Sequence, residues 1–215
     1  MHLTSTDHFT AEHAAELYGL DAWGNGYLSI RDDGHLMVTP EREPGRGIDV
    51  RRVVEKLRAR GAHTPLMLRF PQLLEGQVEV LTRAFARAIG EFEYPQRFLP
   101  VFPMKVNQQR PVVEALLASG WKHGLGLEVG SRPELMAATA LNTPPEALVV
   151  CNGFKDAEYL SAANLACGLG KRVVVVIEKA FELEPILEMW GSVFVCRPAG
   201  RASGRSPAAS RPSSG

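Results

Sequence analysis

The chain has 215 residues, 45% hydrophobic and 22% charged, an ordinary globular composition long enough to bury a core. Lys plus Arg and Asp plus Glu each number 24, so the formal net charge is zero, which argues against a general nucleic-acid or membrane-surface binder. There is no basic-then-apolar leader pattern and no apolar run of membrane-spanning length, and the three cysteines, Cys151, Cys167 and Cys196, have no metal-ligand spacing, so a reduced, cytoplasmic setting is expected.

Ala11 to Tyr18 carries a weak helical pattern. The stretch Trp23 to Ile30 alternates large and small residues, Asp32-Asp33-Gly34 is a turn signal, and His35 to Val38 follows, so a β-hairpin is expected. Thr39 to Gly47 reads as a loop. Asp49 is placed to cap a helix over Val50 to Arg60. Pro65 to Phe70 reads as a short strand, and Gln72 to Ile89 as a long amphipathic helix with Leu74, Val78, Val80, Leu81, Phe85 and Ile89 apolar.

The apolar run Leu99 to Met104 reads as a buried strand that ends at Lys105, and Pro111 then opens a helix. Leu125 to Gly130 is a strand, and Ser131 with Glu134 three residues on has the pattern of a capping box for a helix over Arg132 to Leu141. Leu148 to Cys151 is a strand, Asn152-Gly153 a turn, and Asp156 to Leu169 a helix stopped at Gly170. Val173 to Ile177 is an uninterrupted β-branched run, expected to be buried on both faces. Phe181 to Trp190 is a helix and Val193 to Cys196 a short strand. From Pro65 onward, strands alternate with helices, which implies an α/β fold with parallel strands, either a barrel or a doubly wound sheet. The strands are too few to close an eight-stranded barrel. The tail from Arg197 holds only Arg, Pro, Ala, Gly and Ser, and is expected to be disordered; it reads as a native linker or, preferably, as an out-of-frame end to a longer enzyme.

Lys105 is the main chemical candidate. It is the single charge at the end of a buried strand, where α/β barrels build their active sites. A lysine enclosed by apolar side chains favours the neutral amine, which can attack an aldehyde to form a Schiff base. The alternative is a strand-end lysine whose stem covers apolar surface while its head reaches water. Glu128, between Leu127 and Val129, is an isolated carboxylate in a strand and needs a partner. It is read either as a structural group, in an ion pair or a hydrogen bond to a neighbouring loop, or as a group at the same barrel mouth as Lys105. Asn152, Lys155 and Asp156 follow another strand and could face that mouth, although Asp156 is more simply a helix cap. The six histidines show no metal-ligand spacing, and neither a dinucleotide glycine turn nor a Walker-type phosphate loop occurs.

The segment Phe102-Pro103-Met104-Lys105-Val106-Asn107-Gln108 resembles the biosynthetic arginine decarboxylases, pyridoxal-phosphate enzymes of the alanine-racemase-like barrel class. Trp23 to Tyr27, Phe70 to Leu74, Gly126 to Leu135, Val149 to Asp156 and Val176 to Lys179 follow in the family's order, so the resemblance spans Gly19 to Met189. It implies the first half of a pyridoxal-phosphate-binding TIM-type barrel preceded by a short β segment. The expected divisions are 1–47 with the hairpin, 48–196 as the partial barrel and 197–215 as the tail. By the resemblance, Lys105 is the lysine that binds pyridoxal 5′-phosphate and acts in catalysis, and Glu128 lies near the cofactor. The implied reaction converts L-arginine to agmatine and carbon dioxide, for polyamine synthesis. The resemblance leaves room for Mg2+ beside the cofactor and for a homo-oligomer in the full-length enzyme, with no nucleic-acid or membrane partner. The family's later Gly-Val-Arg strand, ring-stacking His, phosphate loop, Glu at the pyridine nitrogen and carboxy-terminal β domain have no match here, so this form is expected to be inactive. A non-catalytic pyridoxal-phosphate-binding or regulatory domain, or an inactive frameshifted fragment, is the alternative.

Overall fold

The computed structural model describes residues 9–43 and 45–190. The expected strand at Val193 to Cys196 and the tail from Arg197 lie outside the described residues. Contacts divide the chain into two compact units: residues up to Phe98 with Gln109–Gly120, and Leu99–Gln108 with residues from Trp121 on.

The first unit opens with α1 (Ala11–Leu17), capped by the Thr10 hydroxyl, and α2 (Leu20–Trp23). The hairpin forms as expected. Strands β1 (Leu28–Ile30) and β2 (Leu36–Val38) pair antiparallel, with Leu28 opposite Val38. Gly34 in their connection has φ +81°, a conformation that costs glycine least. A third strand, β3 (Ile48–Asp49), pairs with β2 and extends the sheet. Two residues were too short a run to read as a strand in the sequence.

Asp49 ends β3 and caps α3 (Val50–Ala59), accepting from the Arg52 backbone N–H at 3.0 Å. Its carboxylate also meets His35 Nδ1 at 2.7 Å and Arg31 at 3.2 Å. The hydrogen bond from His35, then that from the Arg52 amide, hold the Asp49 carboxyl below its ordinary range against the opposing effect of burial. The folded value is depressed, so this stabilisation is complete above the ordinary carboxylate range and is lost as pH falls through the lowered value. Hydrogen exchange should therefore show the β2–β3–α3 amides of the wild type losing protection on acidification. Asp49→Asn should lose much of that acid-dependent step.

Pro65 to Phe70 is not a strand: the segment forms no ladder pairing among the described residues, and Met67 is 73% exposed. Alternating apolar residues make a strand only where a neighbour accepts the backbone hydrogen bonds. The long helix α4 (Pro71–Glu91) forms, but its apolar face is only partly covered. Val78 is buried, whereas Val80, Leu81 and Phe85 remain exposed among the described residues, Phe85 stacking on Phe98. Helix α5 (Arg110–Ser119) packs on α4.

The second unit is a four-stranded parallel sheet, β4 (Val101–Pro103), β5 (Gly126–Val129), β6 (Leu148–Cys151) and β7 (Arg172–Val175), in the order β4-β5-β6-β7. Spatial order follows chain order with no reversal, which distinguishes a singly wound barrel arc from a doubly wound sheet. Helix α6 (Arg132–Ala140) connects β5 to β6 and packs against both. Helix α7 (Ala157–Gly168) connects β6 to β7 and packs against α6 and β7. Leu127, Val129, Val149, Cys151 and Val173 alternate onto one face and are buried, as are Leu135 and Ala138 of α6 and Leu160 and Ala163 of α7. Side chains alternate along a strand, so Glu128, Val150 and Val174, registered across neighbouring strands, take the opposite face. The run Val173 to Ile177 is not buried on both faces: Val173 is buried, but Ile177 is 39% exposed, because β7 is the edge of the described sheet. A 3₁₀ turn at Ala180–Glu182 leads into α8 (Leu183–Trp190).

Candidate active site

The sheet gathers its polar residues at its carboxy-terminal end. β4 passes directly into a 3₁₀ turn, Met104–Val106, that lies against β5. Met104 is buried beneath it, and Lys105 stands on it. Pro103 is registered opposite Glu128, so Lys105 is two residues beyond the Glu128 level of the sheet. Lys105 is exposed rather than enclosed by apolar side chains, and it has no hydrogen-bond or ion-pair partner among the described residues. The enclosure expected from the apolar run applies to Met104 and stops there.

Glu128 is 6% exposed, within the central strand β5. Its Oε1 accepts from Asn152 Nδ2 at 2.9 Å, while Oε2 is buried with no hydrogen-bond partner among the described residues. Of the two structural readings that the sequence allowed, the ion pair is absent among the described residues and the hydrogen bond to a neighbouring loop is present, from Asn152. Asn152 donates its backbone N–H to Val129 O at 2.8 Å, so the loop after β6 is moored to β5 through both main chain and side chain. A buried carboxylate oxygen without a donor is costly, so this one calls for an explanation.

Glu134 does more than complete a cap. Ser131 Oγ accepts from the Glu134 N–H at 3.4 Å, the expected half of the capping box. The Glu134 carboxylate reaches past the cap residue to Gly130 N–H at 2.6 Å, and its other oxygen accepts from Gln108 Nε2 at 2.6 Å. One side chain thus ties the segment following Lys105 to the turn following Glu128.

Lys155 and Glu182 form an ion pair at 3.4 Å with both side chains fully buried. Glu182 accepts from the backbone N–H groups of Lys155 (3.2 Å), Glu178 (2.9 Å) and Lys179 (3.3 Å). Burial pushes its carboxyl up, but the Glu178, Lys155 and Lys179 amides and then the Lys155 charge outweigh this and leave it lowered. Lys155 Nζ also donates to Gly153 O, and Gly153 N–H donates to Glu178 Oε1. Lys155 was readable as a loop residue near the mouth. Glu182 was not, since its apolar neighbours in chain disguise a group that serves three amides. Its only signal is its position three residues after Lys179, at the start of a helix.

Gly153 has φ +77°, and a Cβ there would meet Gly130 O at 2.2 Å. Gly153→Ala is therefore expected to destabilise by about 1–3 kcal/mol and to separate the two loops. Thermal unfolding measures the first effect, and faster exchange of the Asn152 N–H the second. Cys151 is buried, its thiol pushed up to about 11 by desolvation against the smaller opposing effects of Tyr159 and Lys155, so it packs as an apolar residue. Among the described residues no group of three His, Cys, Asp or Glu could hold a metal ion, and no helix is long and apolar enough to cross a membrane.

The chain is 44% identical over 178 residues to the biosynthetic arginine decarboxylase of Bacteroides thetaiotaomicron, covering 83% of this chain and 28% of that protein. It is likewise 44% identical to the biosynthetic arginine decarboxylase of Parasynechococcus marenigrum, covering 87% of this chain and 29% of that protein. The chain thus spans under a third of the length of these curated relatives. A crystal structure of the biosynthetic arginine decarboxylase from Campylobacter jejuni superposes with a TM-score of 0.73 at 34% identity, over 84% of this chain and 30% of that one. The described sheet is accordingly part of the barrel fold found in that enzyme. Residues 76–195, more than half of the chain, match the family described as pyridoxal-dependent decarboxylase, pyridoxal binding domain, and the chain belongs to that family.

Proposed function

We propose that the chain supplies the lysine-bearing half of a pyridoxal-phosphate site in an L-arginine decarboxylase that yields agmatine and carbon dioxide. The observation that carries this reading is the pairing of Lys105 at the carboxy-terminal end of the sheet with a buried, half-satisfied Glu128 in the adjacent strand. These residues fit the cofactor: Lys105 offers an accessible amine for its aldehyde, and Glu128 Oε2 offers an acceptor still lacking a donor. When bound, pyridoxal phosphate supplies an electron sink for the breaking bond between Cα and the carboxylate. Lys105 would hold the cofactor through its amine. Asn152 occupies one oxygen of Glu128 and so fixes which oxygen is presented. Glu134 keeps the Lys105 and Glu128 segments together.

Arginine as the substrate rests on the names of the relatives. The proposed division at 47/48 falls just before β3 (Ile48–Asp49), which still pairs antiparallel with β2. Residues 1–215 by themselves should not turn over arginine: Lys105 is exposed, and each edge of the described sheet lacks a neighbour. The function is tested by transplanting residues 19–189 into the corresponding part of the Bacteroides thetaiotaomicron relative. The chimaera should release labelled carbon dioxide from arginine in preference to ornithine or diaminopimelate. A folded, cofactor-loaded chimaera that prefers ornithine refutes the substrate assignment.

A further inference from the structure

The buried pair Lys155–Glu182 lies outside the groups that would touch a cofactor, yet its bonds lead to one of them. Glu182 gathers three backbone amides and the Lys155 ammonium. Lys155 and Glu178 then grip residue Gly153 from both sides, Lys155 donating to its carbonyl and Glu178 accepting from its N–H. The residue before Gly153 is Asn152, whose side chain donates to Glu128 Oε1. Gly153 itself approaches Gly130 closely enough to exclude a Cβ. The loop after β6 is thereby held from the β7 side by the ion pair and from the β5 side by backbone contact.

From this arrangement we infer that Lys155 and Glu182 are positioning residues for Glu128, setting the Asn152 amide so that Oε1 is occupied and Oε2 stays turned to the ligand. A fully buried ammonium–carboxylate pair is costly to assemble and is retained here where it controls the presentation of another carboxylate. The inference rests on Glu128 facing pyridoxal phosphate, as proposed above.

The test uses the full chain with pyridoxal phosphate, read by the induced circular dichroism of the bound cofactor at saturating concentration and by the amount bound. Glu128→Gln should change the shape or amplitude of the induced band. Asn152→Ala and the double variant Lys155→Met/Glu182→Gln, which leaves no unpaired buried charge, should reproduce that change at undiminished stoichiometry. A merely structural pair would alter thermal stability and loading, but not the spectrum per bound cofactor. If Glu128→Gln changes the band while the folded double variant keeps the wild-type spectrum, the inference is overturned. Hydrogen exchange on the unmodified chain gives a second, variant-free arm. The backbone amides of Asn152, Gly153, Lys155, Glu178 and Lys179 should open together, and independent opening of the Asn152–Gly153 and Glu178–Lys179 groups would overturn the coupling. Absence of any cofactor band in the wild type would instead refute the cofactor reading, leaving exchange to judge the coupling.

Discussion

Replacing Lys105 with alanine is expected to abolish covalent capture of pyridoxal phosphate by this chain. Three of the other five lysines make the prediction discriminating. Lys155 is buried in its pair with Glu182, so its amine is unavailable. Lys56 is exposed on α3, against the antiparallel sheet and not on the parallel one. Lys171 is the informative competitor. Burial lowers its pKa, which favours a neutral, nucleophilic amine. It donates to Leu141 O at 2.5 Å and Thr143 at 3.1 Å, at the amino-terminal end of β7. Parallel strands place that end opposite the end where Lys105 lies. Borohydride reduction after incubation with pyridoxal phosphate converts the carbon–nitrogen bond to a stable amine, and peptide mapping locates it. The label should fall on Lys105 and vanish in Lys105→Ala. Dominant labelling of Lys171 would mean that desolvation alone governs capture, and the site would have to move to the other end of the sheet. In the arginine decarboxylase chimaera, the same substitution should reduce carbon dioxide release to the background of free cofactor.

The strands and helices of the second unit were legible because the governing interactions are local. Asp156 and Ser131 accept from amides three residues on, and Gly170 ends its helix at φ +89°, as their places in the sequence require. The singly wound order was not legible, since alternation of strand and helix is common to both parallel architectures. Pro65 to Phe70 was misread because its pattern matches a strand and a pattern carries no information about a partner. Lys105 and Glu128 were found by position in the strands and by resemblance, but their environments were not. The apolar residues before Lys105 bury Met104 instead of the lysine, because the 3₁₀ turn rotates the chain immediately after Pro103. The long-range carboxylate contacts of Glu134 and Glu182 were hidden. Beyond the local amides that cap spacing suggests, Glu134 meets Gln108 and Glu182 meets the Lys155 amide, 26 and 27 residues away, and no spacing rule reaches that far.

Glu182→Leu is expected to be among the most damaging single substitutions in the second unit, and more damaging than Lys155→Met. Breaking a buried ion pair by removing one partner costs about 3–5 kcal/mol, because the remaining charge is left in a low-dielectric interior. The two partners are not equivalent. Without Lys155, the Glu182 carboxylate still accepts from the amides of Lys155, Glu178 and Lys179, so the orphaned charge remains solvated by dipoles and the loss should fall near 3 kcal/mol. Without Glu182, a buried ammonium keeps only Gly153 O, and three amides lose their acceptor at once. Each unsatisfied amide adds about 1–3 kcal/mol until the loops open to water, so the loss should exceed 5 kcal/mol, comparable to the whole stability of many domains. Urea unfolding followed by circular dichroism measures both. The pH dependence separates the mechanisms further. The Glu182 carboxyl is lowered in the fold, so its contribution is complete above the ordinary carboxylate range and is lost as pH falls through the lowered value. In Lys155→Met that acid-dependent step should shrink but persist, because the amides that lower the carboxyl remain; in Glu182→Leu it should be gone. Equal destabilisation by the two variants, with equal pH profiles, would show that the ion pair alone matters and that the three converging amides contribute nothing.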